Sequence, residues 1–215
     1  MDALTNADLR GESALVVIEG SEATSVITVA DKIRDSAWET ISLLKSSGVD
    51  PVMISGDAEA VVSTVAAELG IDRHFARVLP ENKSEIIREL KQRGPTAFVG
   101  DGINDAPALL EADLGIAIGA GTNVAIESAD LVLVENDTVD VARALILSSA
   151  THRKMVQNLV WATGYNVVAI PLAAGVAVSA GFLLSPAIGA LFMSMSTVIV
   201  AVNAMLLRRV DLEST

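Results

Sequence analysis

From Met155 to Leu207 the chain carries no Asp, Glu, Lys or Arg, an uncharged run of 53 residues. A helix crossing a hydrocarbon core needs about 20 apolar residues, so the run is long enough for two spans and a turn. Gly181 and Pro186 interrupt it near its middle, which predicts one helix over about 157–180 and a second over about 187–207. Arg153 and Lys154 stand before the run, Arg208 and Arg209 after it, and the central turn has no basic residue. By the positive-inside rule both ends lie in the cytoplasm and the turn outside. The C-terminal position of the run excludes a signal peptide.

The run explains a conflict in the composition. The net charge is −12, yet the chain is 51% apolar, with a mean hydropathy of +0.50. Two acids and two bases follow the run, so the whole acidic excess lies in residues 1–154. An acidic, soluble portion is joined to a neutral, apolar one. Clustered Lys and Arg for phosphate neutralisation are missing, which disfavours nucleic acid as a partner. The apolar content excludes disorder. With no cysteine there is neither a disulfide nor a thiolate metal site. His74 and His152 are far apart and lack ligand spacing.

Residues 14–134 alternate between runs rich in Val and Ile and helical stretches. Strands are expected at 14–19, 25–30, 51–55, 96–99, 114–118 and 131–134. Helices are expected at 35–47, 59–69, 81–93, 104–111 and 123–128, with a further one from about Val139. The pattern predicts an α/β fold with a parallel sheet covered by helices, with ligands at the carboxyl ends of its strands. Gly119-Ala120-Gly121-Thr122 lacks the Lys and the spacing of a Walker motif.

Three places carry candidate chemistry. Ser55-Gly56-Asp57 ends a strand before a helix, where a hydroxyl and turn amides can hold a phosphate oxygen; a strand–turn–helix capped by Asp57 explains the same residues. Lys83 suits phosphate neutralisation, or is simply solvated. In Gly100-Asp101-Gly102-Ile103-Asn104-Asp105-Ala106-Pro107, two glycines bracket one carboxylate and a second follows four residues later. Such hard oxygen ligands suit Mg2+, and a capped turn opened by Asn104 or Asp105 is the plainer alternative. Within the apolar run, Met193, Ser196 and Thr197 share a helix face by their spacing. A thioether beside hydroxyls suits a soft ion such as copper(I); the same residues also suit helix packing in a membrane. Tyr165 and Asn166 stand in the first predicted span, and Trp161 near its cytoplasmic end.

The eight residues Gly100–Pro107 resemble the hinge motif of P-type ATPases. Ser55-Gly56-Asp57 resembles that family's Thr-Gly-Asp, with Ser for Thr, and Pro80-Glu81-Asn82-Lys83 its Pro-x-x-Lys segment. Asp31-Lys32-Ile33-Arg34 resembles the segment leading back from the nucleotide domain. The resemblance covers about residues 14–210. Tyr165-Asn166 with Pro171, and Met193-Ser194-Met195-Ser196-Thr197 with Asn203, resemble the last two membrane helices of the heavy-metal group, best its copper-transporting members. Thr197 replaces a second Ser of that pattern. This variant resembles the branch with a Cys-Pro-His entry motif and leaves copper(I), copper(II) and silver open.

The resemblance implies a partial haloacid-dehalogenase-like parallel sheet with flanking helices, followed by a two-helix transmembrane hairpin. Residues 1–30 would be the end of the nucleotide domain and a return strand, 31–150 the C-terminal part of the phosphorylation domain, and 151–210 the two membrane helices. Asp101 would ligate Mg2+, supported by Asn104 and Asp105. Ser55, Gly56, Asp57 and Lys83 would stabilise the transferred phosphoryl group of ATP. Tyr165, Asn166, Met193, Ser196 and Thr197 would hold the transported ion. The expected location is the cell membrane, multi-pass. The family's Asp-Lys-Thr-Gly nucleophile, nucleotide domain, Thr-Gly-Glu actuator loop and Cys-Pro helix have no counterpart here. The expectation is therefore a C-terminal portion inactive alone, with an unpaired edge where the nucleophile strand belongs, and with the rest of the pump as a possible separate chain. A membrane-anchored hydrolase of the haloacid dehalogenase superfamily and a non-catalytic membrane-docking module are the alternatives. The first would need an Asp-x-Asp motif, which the chain lacks.

Overall fold

The computed structural model describes residues 13–20, 22–29, 32–100, 103–119, 123–181 and 185–212. The chain divides into two units, Met1–Ala142 and Arg143–Thr215.

The first unit opens with an antiparallel hairpin of β1 (Ser13–Glu19) and β2 (Glu22–Val29), with a register shift between Val17 and Ile18. There follow α1 (Asp35–Ser46), β3 (Val52–Ile54), α2 (Glu59–Leu69), β4 (Arg73–Phe75) and α3 (Pro80–Lys91). Next come β5 (Ala97–Gly100), a 3₁₀ turn (Ile103–Asp105), α4 (Ala106–Glu111), β6 (Leu114–Ile118), α5 (Asn123–Ser128) and β7 (Leu131–Leu133). The three residues of β4, which include Arg73 and His74, are too few and too polar to show a strand period in the sequence; they pair in parallel with β3, Met53 opposite His74.

Parallel pairing is present as expected, but the parallel strands form two groups. β3 pairs with β4, while β5, β6 and β7 form a three-stranded sheet in the order β5-β6-β7. Among the described residues β3 and β5 each have a strand partner on one side only. The helix α3 bridges the two groups. Its Ile87 and Leu90 pack with Phe98 of β5 and with Ala108 and Leu109 of α4, and Val52 and Ile54 of β3 lie against that cluster. Ile87 and Leu109 are fully buried, and each such side chain contributes about 1.5–3 kcal/mol.

Local signals set the ends of these elements. α2 stops at Gly70, whose φ of +72° is open to glycine at little cost. β6 stops at Gly119, φ +60°, where a Cβ would lie 3.0 Å from Asn136 Cγ. Asn136 is itself held from both its carbonyl and its side chain by Arg34 Nη1, 2.9 Å each. Beside that contact the buried Thr40 hydroxyl donates to Ser36 O (2.7 Å) and approaches Thr138 Oγ1 at 3.0 Å. The start of α1 is thus fastened to the loop after β7.

Helix α6 (Val139–Ala173) begins at the residue where the sequence predicts a helix, and the unit boundary falls within it. It ends at Ala173 rather than near 180. Pro171 removes a donor in its last turn, Gly175 takes a φ of +87°, and residues 178–180 form a 3₁₀ turn. Helix α7 (Pro186–Met205) starts at Pro186 under Ser185, whose Oγ accepts from Ile188 N at 3.3 Å. Among the described residues one helix, Ala187–Arg209 with mean hydropathy 2.0, is long and apolar enough to cross a membrane. The apolar part of α6 is diluted by Gln157, Asn158, Gly164, Tyr165 and Asn166.

Candidate functional site

The candidate phosphoryl site lies where the parallel strands end. After β3 the loop Ser55–Asp57 is laced to the segment after β4. Ser55 N donates to Phe75 O (2.9 Å), Val78 N to Ser55 O (3.0 Å) and Arg77 N to Asp57 O (2.9 Å). Arg77 holds a φ of +53°, a strained value for a residue with a Cβ. Within the loop Ser55 Oγ donates to Asp57 Oδ2 at 2.7 Å and accepts from Asp57 N at 3.2 Å. Asp57 does not cap the following helix: the N-cap of α2 is Ala58, without a side-chain bond. The capped-turn reading of this motif therefore fails, and the hydroxyl–carboxylate pair is left at the strand end.

The same holds at the second motif. Asp105 precedes α4 as its N-cap residue but makes no side-chain cap bond. Its side chain turns to α3, where Lys83 Nζ lies 2.7 Å from Asp105 Oδ1. Both are sheltered, with side-chain exposures of 18% for Lys83 and 9% for Asp105. Gly100 makes this approach possible: a Cβ there would lie 2.9 Å from Asp105 Oδ2 and 3.0 Å from a Phe98 ring carbon. Asn104 is exposed beside them. Asp101 and Gly102 lie outside the described residues, as do Asp31 and residues 120–122. Pro80 at the first turn of α3 fixes where that helix begins and so how far along it Lys83 stands. Sequence reasoning found Lys83 and Asp105 separately and missed that they pair. Their separation of 22 residues carries no periodic signal.

Mg2+ takes one or two carboxylates and keeps water and phosphate oxygens as its other ligands; the described residues supply one carboxylate here, Asp105. Lys83 occupies Asp105 Oδ1, and Asp105 Oδ2 packs against Gly100, where a Cβ would lie 2.9 Å from it. Among the described residues no group of three His, Cys, Asp or Glu gathers as an all-protein metal cage.

The far end of α3 is fastened by charge. Arg88 Nη2 meets Glu111 Oε2 at 2.8 Å, and Lys91 Nζ meets Asp113 Oδ1 at 3.2 Å and Glu111 O at 2.7 Å. The hydrogen bond and charge of Arg88 hold the Glu111 carboxyl below its ordinary range and raise the guanidinium in turn. Asp113 is lowered first by the Thr96 N–H, 2.9 Å away, and then by Lys91.

In the second unit the candidate ion-site residues divide. Met193, Ser196 and Thr197 all stand on α7, with Ser196 half-buried and Met193 and Thr197 exposed; Thr197 Oγ1 donates to Met193 O at 3.1 Å. Tyr165 is half-buried on α6 and its hydroxyl reaches Gly189 O of α7 at 3.4 Å. Asn166 is exposed. Tyr165 therefore touches the other helix.

A profile of the haloacid dehalogenase-like hydrolases matches residues 2–113. The chain belongs to that family. More particularly, it is similar over nearly its whole length to copper-transporting P-type ATPases. The copper-exporting P-type ATPase B of Archaeoglobus fulgidus is 57% identical over 199 residues, 93% of this chain and 29% of the relative. The probable copper-transporting P-type ATPase B of Staphylococcus aureus is 48% identical over 208 residues, 96% and 31%. Among solved structures, a zinc-transporting PIB-type ATPase superposes with a TM-score of 0.80 at 32% identity, over 96% of this chain and 33% of that one. The chain spans about a third of the length of each.

Proposed function

We propose that residues 1–215 are part of an ATP-driven heavy-metal pump, with copper as cargo. They supply its magnesium and phosphate hinge and part of its intramembrane ion site. The observation that carries this reading is the Lys83–Asp105 pair beside Gly100, built at the end of a parallel strand within a sequence 57% identical to a copper-exporting relative. Copper is preferred to zinc because the zinc-transporting neighbour is 32% identical.

In this reading the Ser55 hydroxyl, which donates to Asp57 Oδ2 in the structure, turns to donate to a phosphoryl oxygen when one is bound. Lys83 neutralises phosphate charge and holds Asp105 in place. Asp101, Asp105 and Asn104 would hold Mg2+, which when bound supplies charge to the phosphoryl oxygens. Tyr165, Asn166, Met193, Ser196 and Thr197 line the ion path. The two helices form a hairpin in the cell membrane with both chain ends in the cytoplasm. Without an Asp-Lys-Thr-Gly nucleophile the 215 residues do not turn over ATP by themselves.

Co-expression with the N-terminal remainder of the Archaeoglobus relative tests this. Copper(I)-stimulated ATP hydrolysis that Lys83→Met and Asp101→Asn abolish is expected. Turnover by residues 1–215 alone, or stimulation by zinc in place of copper, would overturn the corresponding part.

A further inference from the structure

Asn203 stands on α7 inside the segment apolar enough to span a membrane, yet its carboxamide is engaged on both sides. Its Oδ1 accepts from Lys154 Nζ at 2.9 Å; its Nδ2 donates to Asn158 Oδ1 at 2.8 Å and reaches Gln157 Oε1 at 3.4 Å. Lys154, Gln157 and Asn158 are spaced i, i+3, i+4 on α6 and form one face. One side chain of α7 thus sits in a three-cornered polar hole on α6. The surroundings are apolar: Leu159, Val160, Val202 and Met205 are all more than half exposed on the outside of the pair.

A carboxamide in hydrocarbon is costly unless bonded, and a buried Asn at a helix seam selects one register over its neighbours. Sliding α7 by one turn, about 5.4 Å, would take Asn203 out of reach of all three partners. The register has a consequence deeper in the hairpin. Tyr165 lies seven residues beyond Asn158 on α6, and Ser196 seven residues before Asn203 on α7. At about 1.5 Å per residue both are about 10.5 Å from the clasp, at one level. Both are half-buried. Met193 is one turn further, between Ser196 and the Gly189 carbonyl that Tyr165 reaches.

We infer that Asn203 is a positioning residue: clasped by Lys154, Gln157 and Asn158, it pins the register that sets Ser196 level with Tyr165, and so sets affinity for the transported soft cation. The inference rests on the proposed ion-site reading.

The chain has no cysteine, so spin labels can be placed at will. The test uses the full chain in lipid nanodiscs with labels at Val168→Cys and Leu191→Cys, outward-facing positions on the two helices. Pulsed electron paramagnetic resonance reads the register, and competition with a copper(I) chelator reads affinity. Asn203→Leu is expected to shift or broaden the interspin distance and to weaken copper(I) binding about ten-fold, with partial rescue of both by Asn203→Gln. Should Asn203→Leu fail to insert, Lys154→Met, which keeps the Asn203–Asn158 bond, is expected to give a smaller change of the same kind. An unchanged distance overturns the pin, and a shifted distance with wild-type affinity overturns its effect on the ion. Tyr165→Phe and Met193→Leu separate the two ideas: if neither weakens copper(I) binding, the ion-site reading fails, while the distance still decides the pin.

Discussion

Lys83 and Asp105 form an ion pair at 2.7 Å that joins the first turns of α3 to the 3₁₀ turn after β5. Through it, two motifs far apart in the sequence meet by their side chains. Because both groups are sheltered, removing one leaves the other poorly solvated. Lys83→Met is expected to cost about 3 kcal/mol, since it leaves the 6%-exposed Asp105 facing no cation. Asp105→Asn should cost less, because Lys83 is the more exposed partner and can turn to water. Thermal melts of the full chain in detergent check the order. Equal effects would overturn the order, and negligible effects of both would mean the pair adds little.

Two glycines separate folding from function. A Cβ at Gly115 would lie 2.6 Å from Leu109 O, a backbone atom that cannot move aside. Gly115→Ala should destabilise by about 1–3 kcal/mol. At Gly56 the nearest atom to a Cβ is Val78 O at 3.5 Å, an ordinary contact. Gly56→Ala should leave the melting temperature within a few degrees of wild type. If the proposed phosphate role is right, it should still depress copper-stimulated turnover in the co-expressed pump. A matched loss of stability in both variants would remove the distinction.

Thr40 is buried, and its hydroxyl connects Ser36 O and Thr138 Oγ1. Thr40→Val keeps the shape and removes the bonds, for an expected cost of about 1–2 kcal/mol. Arg34→Gln, which breaks the exposed contact to Asn136, should cost less. Urea unfolding of the two variants compares them directly.

Acid should loosen the far end of α3. Glu111 and Asp113 are lowered in the folded chain, so their contribution is complete above the ordinary carboxylate pKa of about 4 and disappears as the pH falls through the lower folded values. The melting temperature should therefore drop between about pH 5 and pH 3, and Glu111→Gln with Asp113→Asn should flatten that slope. The charges are solvent-accessible, so about 1 M salt should shrink the difference at the upper end of that range.

What the sequence by itself determined is whatever is local. The uncharged run marked the apolar hairpin, and the alternation of apolar runs marked β3, β5, β6 and β7 and the helices between them. The glycine-bracketed acids and the Met and Ser spacing marked residues worth watching, because dihedral needs, charge and helix period are written in neighbouring positions. The structure alone decided what those residues meet. Asp57 and Asp105 each had a cap reading and a site reading in the sequence; in the fold neither side chain makes a cap bond, and each turns instead to a partner, Ser55 and Lys83. The division of the strands into two groups, the end of α6 at Ala173, and the seating of Asn203 among Lys154, Gln157 and Asn158 depend on contacts between segments distant in the chain. No local period encodes such contacts, because they are fixed by which surfaces remain to be covered once the local elements have formed.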